Sequence, residues 1–370
     1  MQTEPGTEFR RVIMVVDMDY FYAQCEELRN PSLKDKPVVV CMYSDRTLES
    51  GAVATCNYVA RENGVRSGIP IFKAKELLRG KPWVFIRPDF AYYEAMSKNI
   101  IDLLREHCDR LRVESIDEAY LDVTSRTQGD LQRAEDLAKH IKSSMLEKLG
   151  FRCTIGIGPN KLTAKMACDL CKPDGLLAVR EGEFLMRFGH LPVDRLYGVG
   201  GRTSAKLNEM GVKTIEDLAK KEAHVLQKAF GRRLGLYFHL ASQGLEDEPL
   251  VEWRREQVGR MATLKEDSRD IEAIRESLTA MAEEISSELE ASGLNYRAVG
   301  IVAVDTSLKQ HSRSKTLKTE EEGSEPMVKV GVELFKELLD GEPSLVVRRV
   351  GIHVSSLKSK AGQTELTRFY

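Results

Sequence analysis

No stretch of the 370-residue chain approaches the run of roughly 18 apolar residues that a membrane-spanning helix needs. The opening residues, MQTEPGTEFRR, lack the apolar core of a secretion signal. A cytoplasmic protein with no membrane partner is therefore expected. Net charge is almost absent: 55 basic residues stand against 57 acidic ones, for −2. So balanced a chain does not advertise a polyanion partner as a whole, and its charge has to be read by segment. Cysteines are few and odd in number: Cys25, Cys41, Cys56, Cys108, Cys153, Cys168 and Cys171. Their scatter argues against a disulfide framework and for reduced thiols. Cys168 and Cys171 form one C-x-x-C with no second pair at zinc spacing, which favours a helix face or core over a metal site. What is present is ordinary for a folded protein, with 42% hydrophobic and 30% charged residues. The length suits about two to four domains.

The chain is organised around Val113–Val123, VESIDEAYLDV. Asp117 and Glu118 stand side by side between apolar runs suited to two strands joined by a turn. Adjacent carboxylates repel, and a fold gains little by bringing them together without a cation; a hard divalent ion such as Mg²⁺ would make the pair favourable. Far upstream, Val12–Val16 reads as a buried strand with Asp17 and Asp19 at its end. If Asp17 meets Asp117 and Glu118 on neighbouring strands, three carboxylates converge where two metals could bind. That is equipment for phosphoryl or nucleotidyl transfer.

Residues 10–165 alternate strand and helix patterns, as in an α/β or α+β domain. The pattern predicts a helix over Ala52–Asn63 and another from Lys161. KPDG, from Lys172 to Gly175, reads as a turn leading out of the domain. Residues 183–245 are helical in pattern, with a glycine-rich turn, GVG at Gly198–Gly200, between two helices. It looks like a helix-hairpin-helix, whose backbone N–H groups suit a phosphate; a plain helix-to-helix turn is the alternative. The acidic, proline-bearing LEDEPLVEW reads as a linker.

Beyond the linker the periodicity predicts βαββαβ, one sheet with two helices on one face. Charge is informative here. Residues 266–292 hold 2 basic and 9 acidic residues, and residues 319–343 hold 2 and 8. The strand segments 254–260, 296–318 and 346–360 hold 3 and 1, 5 and 1, and 4 and 0. Acidic helices on one face would leave the other face basic, a footprint for a phosphate backbone. The polar tail ends on Gln363, Leu366, Phe369 and Tyr370, which one helical turn would gather as an anchor for a partner's groove.

Four stretches, DMDYFYAQCEE, SGAVATCNYVAR, SIDEAYLD and GIGPNKLTAKMA, resemble in order and spacing the polymerase module of Y-family DNA polymerases, in the archaeal style of the DinB or polymerase IV branch. The resemblance spans about residues 10–360. It implies an α+β multidomain fold, a right-hand polymerase with a mixed α/β palm, small fingers, a helical thumb and a βαββαβ little-finger domain. The corresponding segments are an extension (1–11), palm (12–28 and 81–175), fingers (29–80), thumb (176–244), linker (245–253), little finger (254–357) and tail (358–370).

The same resemblance implies roles for residues. Asp17, Asp117 and Glu118 match the catalytic, metal-binding carboxylates, joined by the backbone carbonyl of Met18, with two Mg²⁺ ions as cofactor. Asp19 is not assigned to metal. Tyr22 matches a steric gate beneath the sugar, with Tyr20 and Phe21 as neighbouring claimants and Phe21 expected to face the core. Thr55, Tyr58, Arg61 and Lys161 match triphosphate contacts. Gly51, Ala52 and Ala54 match the roof over the nascent base pair, where small residues leave room for a distorted template base. Lys165 is left as a structural residue or a DNA contact.

Gly198 and Gly200 fall where the thumb grips DNA. Arg254, Arg255, Arg297, Arg313, Lys315, Arg348 and Arg349 lie in the basic strands where the little finger does so. The tail resembles a sliding-clamp peptide. The expected partners are primer–template DNA, dNTPs and a sliding clamp, and the expected state is a monomer. The expected function is template-directed, low-fidelity translesion synthesis without proofreading, since no 3′–5′ exonuclease motif set is visible. A non-catalytic, polymerase-like module that binds DNA and clamp is the alternative. A nucleotide cyclase would also use paired carboxylates, but would need neither thumb, basic sheet nor clamp peptide.

Overall fold

The structure is a computed structural model and describes residues 9–44, 46–47, 50–246, 248–251 and 256–360. The chain divides into two compact units, Met1–Met42 with Ala52–Trp253, and Tyr43–Gly51 with Arg254–Tyr370. Among the described residues, no helix is long and apolar enough to cross a membrane. All seven cysteines are free.

The first part of the chain runs β1 (Ile13–Met18), α1 (Phe21–Arg29), β2 (Val38–Tyr43), β3 (Gly51–Cys56), α2 (Tyr58–Glu62), α3 (Ile71–Leu77), β4 (Val84–Ile86), α4 (Phe90–Arg105), β5 (Arg110–Val113) and β6 (Glu118–Asp122). It continues through α5 (Thr124–Thr127), α6 (Leu131–Leu149), β7 (Cys153–Gly158), α7 (Lys161–Cys171) and β8 (Leu176–Ala178). Five of these strands form one sheet in the order β5-β6-β1-β7-β8. Strand β1 is central, and every residue of it is buried. Its alternation serves two cores. Met14, Val16 and Met18 pack with Ile100, Leu103 and Leu104 of α4 and Ala138, Ile141 and Met145 of α6. Ile13 and Val15 pack with Ala164 and Cys168 of α7. Helix α7 lies so close to β7 that a Cβ on Gly156 would fall 2.1 Å from the Ala164 carbonyl oxygen. Glycine at that position permits the contact.

Two local expectations are corrected here. The stretch expected as one helix over Ala52–Asn63 is strand β3 followed by α2. Asn57 makes the break: its Oδ1 accepts from the Ala60 N–H at 3.0 Å and from Val38 N–H at 3.1 Å, while its Nδ2 donates to Glu27 at 2.8 Å. That is an N-cap held by strands and helices distant in sequence. The KPDG turn does not lead straight out of the domain. Leu176–Ala178 returns as the sheet's edge strand, parallel to β7, with Ile155 opposite Leu176. The remaining small sheet, β3-β2-β4, carries α2 and α3.

Beyond β8 come α8 (Phe184–Phe188), α9 (Gly201–Glu209), α10 (Ile215–Ala219), α11 (Ala223–Phe230) and α12 (Arg232–Ser242), as the helical pattern predicts. Their core includes Phe184, Phe188, Leu207, Leu218, Leu226 and Phe238.

The C-terminal unit runs β9 (Gln257–Ser268), α13 (Ile271–Ala291), β10 (Leu294–Asp305), β11 (Gln310–Glu321), α14 (Glu325–Gly341), β12 (Val347–Ser355) and the short β13 (Lys358–Ser359). The first six are the expected βαββαβ, in the strand order β11-β10-β12-β9. Both helices share one core with the sheet, Leu278 and Ile285 from α13 and Phe335 and Leu338 from α14 meeting Val299, Ile301, Val350 and Ile352.

Candidate active site

The antiparallel register of β1 and β6 sets Asp17 directly opposite Glu118. The Met18 N–H donates to the Asp117 carbonyl at 2.8 Å, which holds the tip of the β5–β6 turn beside the end of β1. Ser115 donates its hydroxyl to Asp117 Oδ1 at 2.6 Å and orients that carboxylate. Asp17 and Glu118 thus meet on paired strands with Asp117 on the adjoining turn, although the three carboxylates do not all come within 4.8 Å of one another.

Two lysines answer their charge. Lys165 Nζ lies 3.1 Å from Asp17 and 2.7 Å from Glu118, and Lys172 Nζ lies 2.7 Å from Asp17. Burial lifts the Glu118 carboxyl above its ordinary value, with Lys165 opposing. Burial works against the Lys165 ammonium, but Asp17, Glu118 and Asp169 outweigh it and push its pKa up. Lys172 is pushed up to about 12, burial opposing and Asp17 prevailing. Both lysines carry full charge at neutral pH, held by the carboxylates. Among the described residues, the group with donor atoms within 4.8 Å of one another is Asp17, Cys168 and Asp169. Burial raises the Cys168 thiol far above its usual range and it donates to the Thr154 carbonyl, so the thiol is a packed core group, not a hard-metal ligand.

Beside the carboxylates opens a cleft of 280 Å³, lined among others by Asp17, Tyr22, Ala54, Thr55, Arg61 and Asp117. Tyr58 and Lys172 also reach it. Tyr58 and Arg61 lie one turn apart on α2, with the Arg61 guanidinium 4.9 Å from the Tyr58 ring centroid. Thr55 does not share that helix; it comes from β3, yet still lines the cleft. Burial and Asp19 push the Tyr58 hydroxyl up to about 12, so it stays a donor at neutral pH. Tyr22 forms one wall, its ring stacked on Tyr93 at 4.6 Å and edge-on to Phe90 at 6.1 Å. Phe21 turns into the core, as expected. Tyr20 takes a left-handed backbone, φ 41°, and gives its hydroxyl to Glu27. Of the three small residues expected to form the roof, Ala54 lines the cleft, Ala52 bridges Pro70, and Gly51 opens β3 with φ 138°.

Lys161 is not on this cleft. It lies 4.8 Å from the Tyr120 ring centroid and 2.5 Å from Glu248. The reason is the direction of α7. Eleven residues span on the order of 16 Å, and the cleft lies at the helix's C-terminal end, where Lys172 is the cap residue. Lys172 is thus the lysine that sequence reasoning missed. Its sequence signal is the KPDG turn that opens with it.

In the helical segment, Gly200 caps α9, and Gly198 sits at φ 87° with Tyr237 Cε1 only 2.9 Å from where its Cβ would be. In the C-terminal unit, Arg254 and Arg255 lie outside the described residues, as do Gln363, Leu366, Phe369 and Tyr370 of the tail. Arg313 and Lys315 are not on the open face of the sheet. They pair across β10 with Ile301 and Val299, whose side chains belong to the helix-side core, and they reach Glu342 at 3.8 Å and Glu333 at 3.0 Å. Arg349, opposite Val304 and one residue before the core residue Val350, is exposed on the other face. Arg297 is exposed on β10, and Arg348 grips Asp267 at 2.8 Å. Between them the open face carries Gly300, Gly351, Ser312 and Ser314 beside Val302 and His353.

Sequence and fold comparisons agree with this geometry. The impB/mucB/samB family pattern matches residues 16–169, its C-terminal domain matches residues 255–367, and the DNA polymerase-iota thumb domain matches residues 194–246. DNA polymerase IV of Nitrosopumilus maritimus is 40% identical over 97% of this chain and 99% of its own. DNA polymerase IV 1 of Methanosarcina mazei is 39% identical over 96% and 99%. A Y-family DNA polymerase chimera of Dbh and Dpo4 superposes with a TM-score of 0.88 at 35% identity, over 94% of this chain and 100% of that one. A mixed sheet with convergent carboxylates, a helical thumb and a C-terminal β-sheet domain define a polymerase, and the chain belongs to the Y family of DNA polymerases. Within that family it stands with the DinB-type polymerase IV branch, whose DNA-directed DNA polymerase activity serves translesion synthesis.

Proposed function

We propose that the chain adds deoxynucleotides to a primer at low fidelity by two-metal nucleotidyl transfer, without proofreading, at the cleft beside Asp17, Asp117 and Glu118. The observation that carries this is the register that sets Asp17 against Glu118, with Asp117 adjacent and a cleft of 280 Å³ beyond. The donor set fits a hard divalent ion: it is all oxygen, and its charge is large enough to draw in Lys165 and Lys172. Asp17, Asp117, Glu118 and the Met18 carbonyl would hold two Mg²⁺ ions. Bound there, the metal supplies Lewis-acid activation of the primer hydroxyl and neutralises charge on the triphosphate.

The chain's own groups do the rest. Arg61 offers a forked donor and Tyr58 a hydroxyl to the triphosphate, with Thr55 at the strand end and Lys172 in the place expected of Lys161. Tyr22 packs beneath the sugar, and Ala54 leaves space over the base pair. Gly198 and Gly200 on the thumb, with Arg297, Arg348 and Arg349 on the little finger, grip the DNA backbone without reading sequence. A monomer acting in the cytoplasm and tethered to a sliding clamp by Gln363, Leu366, Phe369 and Tyr370 completes the reading. Single-nucleotide primer extension with Mg²⁺ tests it; template-directed addition is expected, and none in the wild type would favour the non-catalytic module. Deletion of residues 363–370 should leave basal extension unchanged and remove stimulation by a clamp, a gain of about 10²-fold or more where tethering operates. Equal stimulation of the truncated chain would reject the tail as the tether.

A further inference from the structure

We infer that Asp19, which the metal chemistry leaves unused, is a positioning residue that holds Lys172 and Tyr58 at the triphosphate. This rests on the reading of Lys172 as a triphosphate contact. Asp19 is 2% exposed, at the end of β1. One of its carboxylate oxygens accepts from the Asp174 N–H at 2.8 Å, and the other accepts from the Thr154 hydroxyl at 2.9 Å. The second oxygen also lies 3.5 Å from the Tyr58 hydroxyl. Asp174 is two residues after Lys172, in the turn that joins α7 to β8. Asp19 therefore ties that turn, from inside the protein, to the end of β1 and to the middle of the sheet.

The same turn is tied from outside. The Asp174 carboxylate lies 2.6 Å from Lys142 and 2.6 Å from Arg152. The Arg152 carbonyl accepts from the Asp19 N–H at 3.3 Å and from Gln24 at 3.1 Å, closing the network on Asp19 itself. A lysine has a long, flexible stem, and its reach is defined only as well as its backbone is. Here the residue two positions on, Asp174, is held by three charged groups, Asp19, Lys142 and Arg152, and Asp19 is itself held by the Thr154 hydroxyl. Lys172 and Tyr58 come from elements far apart in the chain, and Asp19 is the group that touches the supports of both. A buried carboxylate with three polar neighbours carries a desolvation cost that simple packing would avoid. Its placement between two groups of the cleft accounts for that cost.

The test is steady-state insertion of a single dNTP, with KM and kcat separated. Lys172→Ala should raise KM for dNTP. Asp19→Ala should raise it about tenfold, as expected for a misplaced binding group, with a smaller effect on kcat. Asp19→Asn keeps an acceptor for the Asp174 N–H and should stay near the wild type. Asp174→Asn lies in an exposed turn, tolerates its φ of 50°, and weakens the outer ties by removing their charge, while the Asp174 carbonyl still accepts from Lys142 at 3.0 Å. It should raise KM a few-fold whether or not the buried variant folds. The double variant Asp19→Ala with Lys172→Ala should raise KM by clearly less than the product of the two single effects, any excess over Lys172→Ala being the part carried by Tyr58. If Lys172→Ala leaves KM unchanged, the reading of Lys172 and this inference fall together. If Lys172→Ala raises KM while neither Asp19→Ala nor Asp174→Asn does, only the inference is overturned. Multiplying effects in the double variant, or a loss confined to kcat, overturns it as well, because Asp19 would then act on the carboxylates and not through the lysine.

Discussion

Replacing Asp117 and Glu118 by alanine together should abolish primer extension, a loss of at least about 10³-fold, while primer–template affinity stays within a few-fold of the wild type. The magnitude follows from the size of a single electrostatic contribution in a closed site, on the order of 10²–10³ in rate for each preorganised group removed. The split between rate and affinity follows from location. Asp117 lines the cleft and Glu118 stands opposite Asp17 beside it, whereas the proposed DNA grips lie on the thumb glycines and the little-finger arginines. Stability should move little, or upward. Glu118 is set against Asp17 by strand register, and burial lifts its carboxyl, so the folded state bears a cost for holding it. Lys165 would keep Asp17 at 3.1 Å and Asp169 at 3.3 Å, so no buried ammonium is orphaned. Single-turnover extension with Mg²⁺, thermal unfolding and DNA binding, measured on the same preparation, separate the three quantities. Extension within tenfold of the wild type would remove both residues from the chemistry.

The carboxylates were legible because their logic is local. Asp117 and Glu118 are adjacent in sequence, Asp17 ends an all-apolar strand, and antiparallel pairing of two such ends can hardly avoid bringing them together. What was not legible depended on tertiary choices. GAVATC is small and weakly patterned, and suits a helix or a strand. Asn57 decides between them, through bonds to Val38 and Glu27 that no local window contains. Both ends of α7 carry a lysine, and only the docking of the helix on β7 shows that the C-terminal one, Lys172, meets Asp17. The strands of the C-terminal unit are basic by count, but a count does not say which face a side chain takes. Arg313 and Lys315 share the parity of Leu317, an apolar residue packed toward the helices, and that parity was a readable sign that they face α14.

Tyr22→Ala should admit ribonucleotides, with discrimination against the 2′-hydroxyl falling by about 10²-fold, the scale of exclusion by shape alone. That corresponds to about 3 kcal/mol in the transition state. The argument is about rigidity as much as size. A tyrosine free to swing would yield to an extra oxygen at small cost. This ring is stacked on Tyr93 with an interplanar angle of 18° and braced edge-on by Phe90, and Tyr93 is itself buried and donates its hydroxyl to Glu26 at 2.7 Å. A ring so supported resists displacement, because moving it breaks aromatic contacts worth about 0.5–1.5 kcal/mol each. Two companions test the mechanism. Tyr22→Phe keeps the ring and should keep discrimination, since contact and not the hydroxyl does the excluding. Tyr93→Ala leaves the gate residue in place but removes its backing, and should relax discrimination partway. The measurement is kcat/KM for a dNTP against the matching rNTP on one primer–template. Unchanged discrimination in Tyr22→Ala would move the gate to Tyr20, whose hydroxyl is committed to Glu27. Full relaxation in Tyr22→Phe would make the selection polar rather than steric.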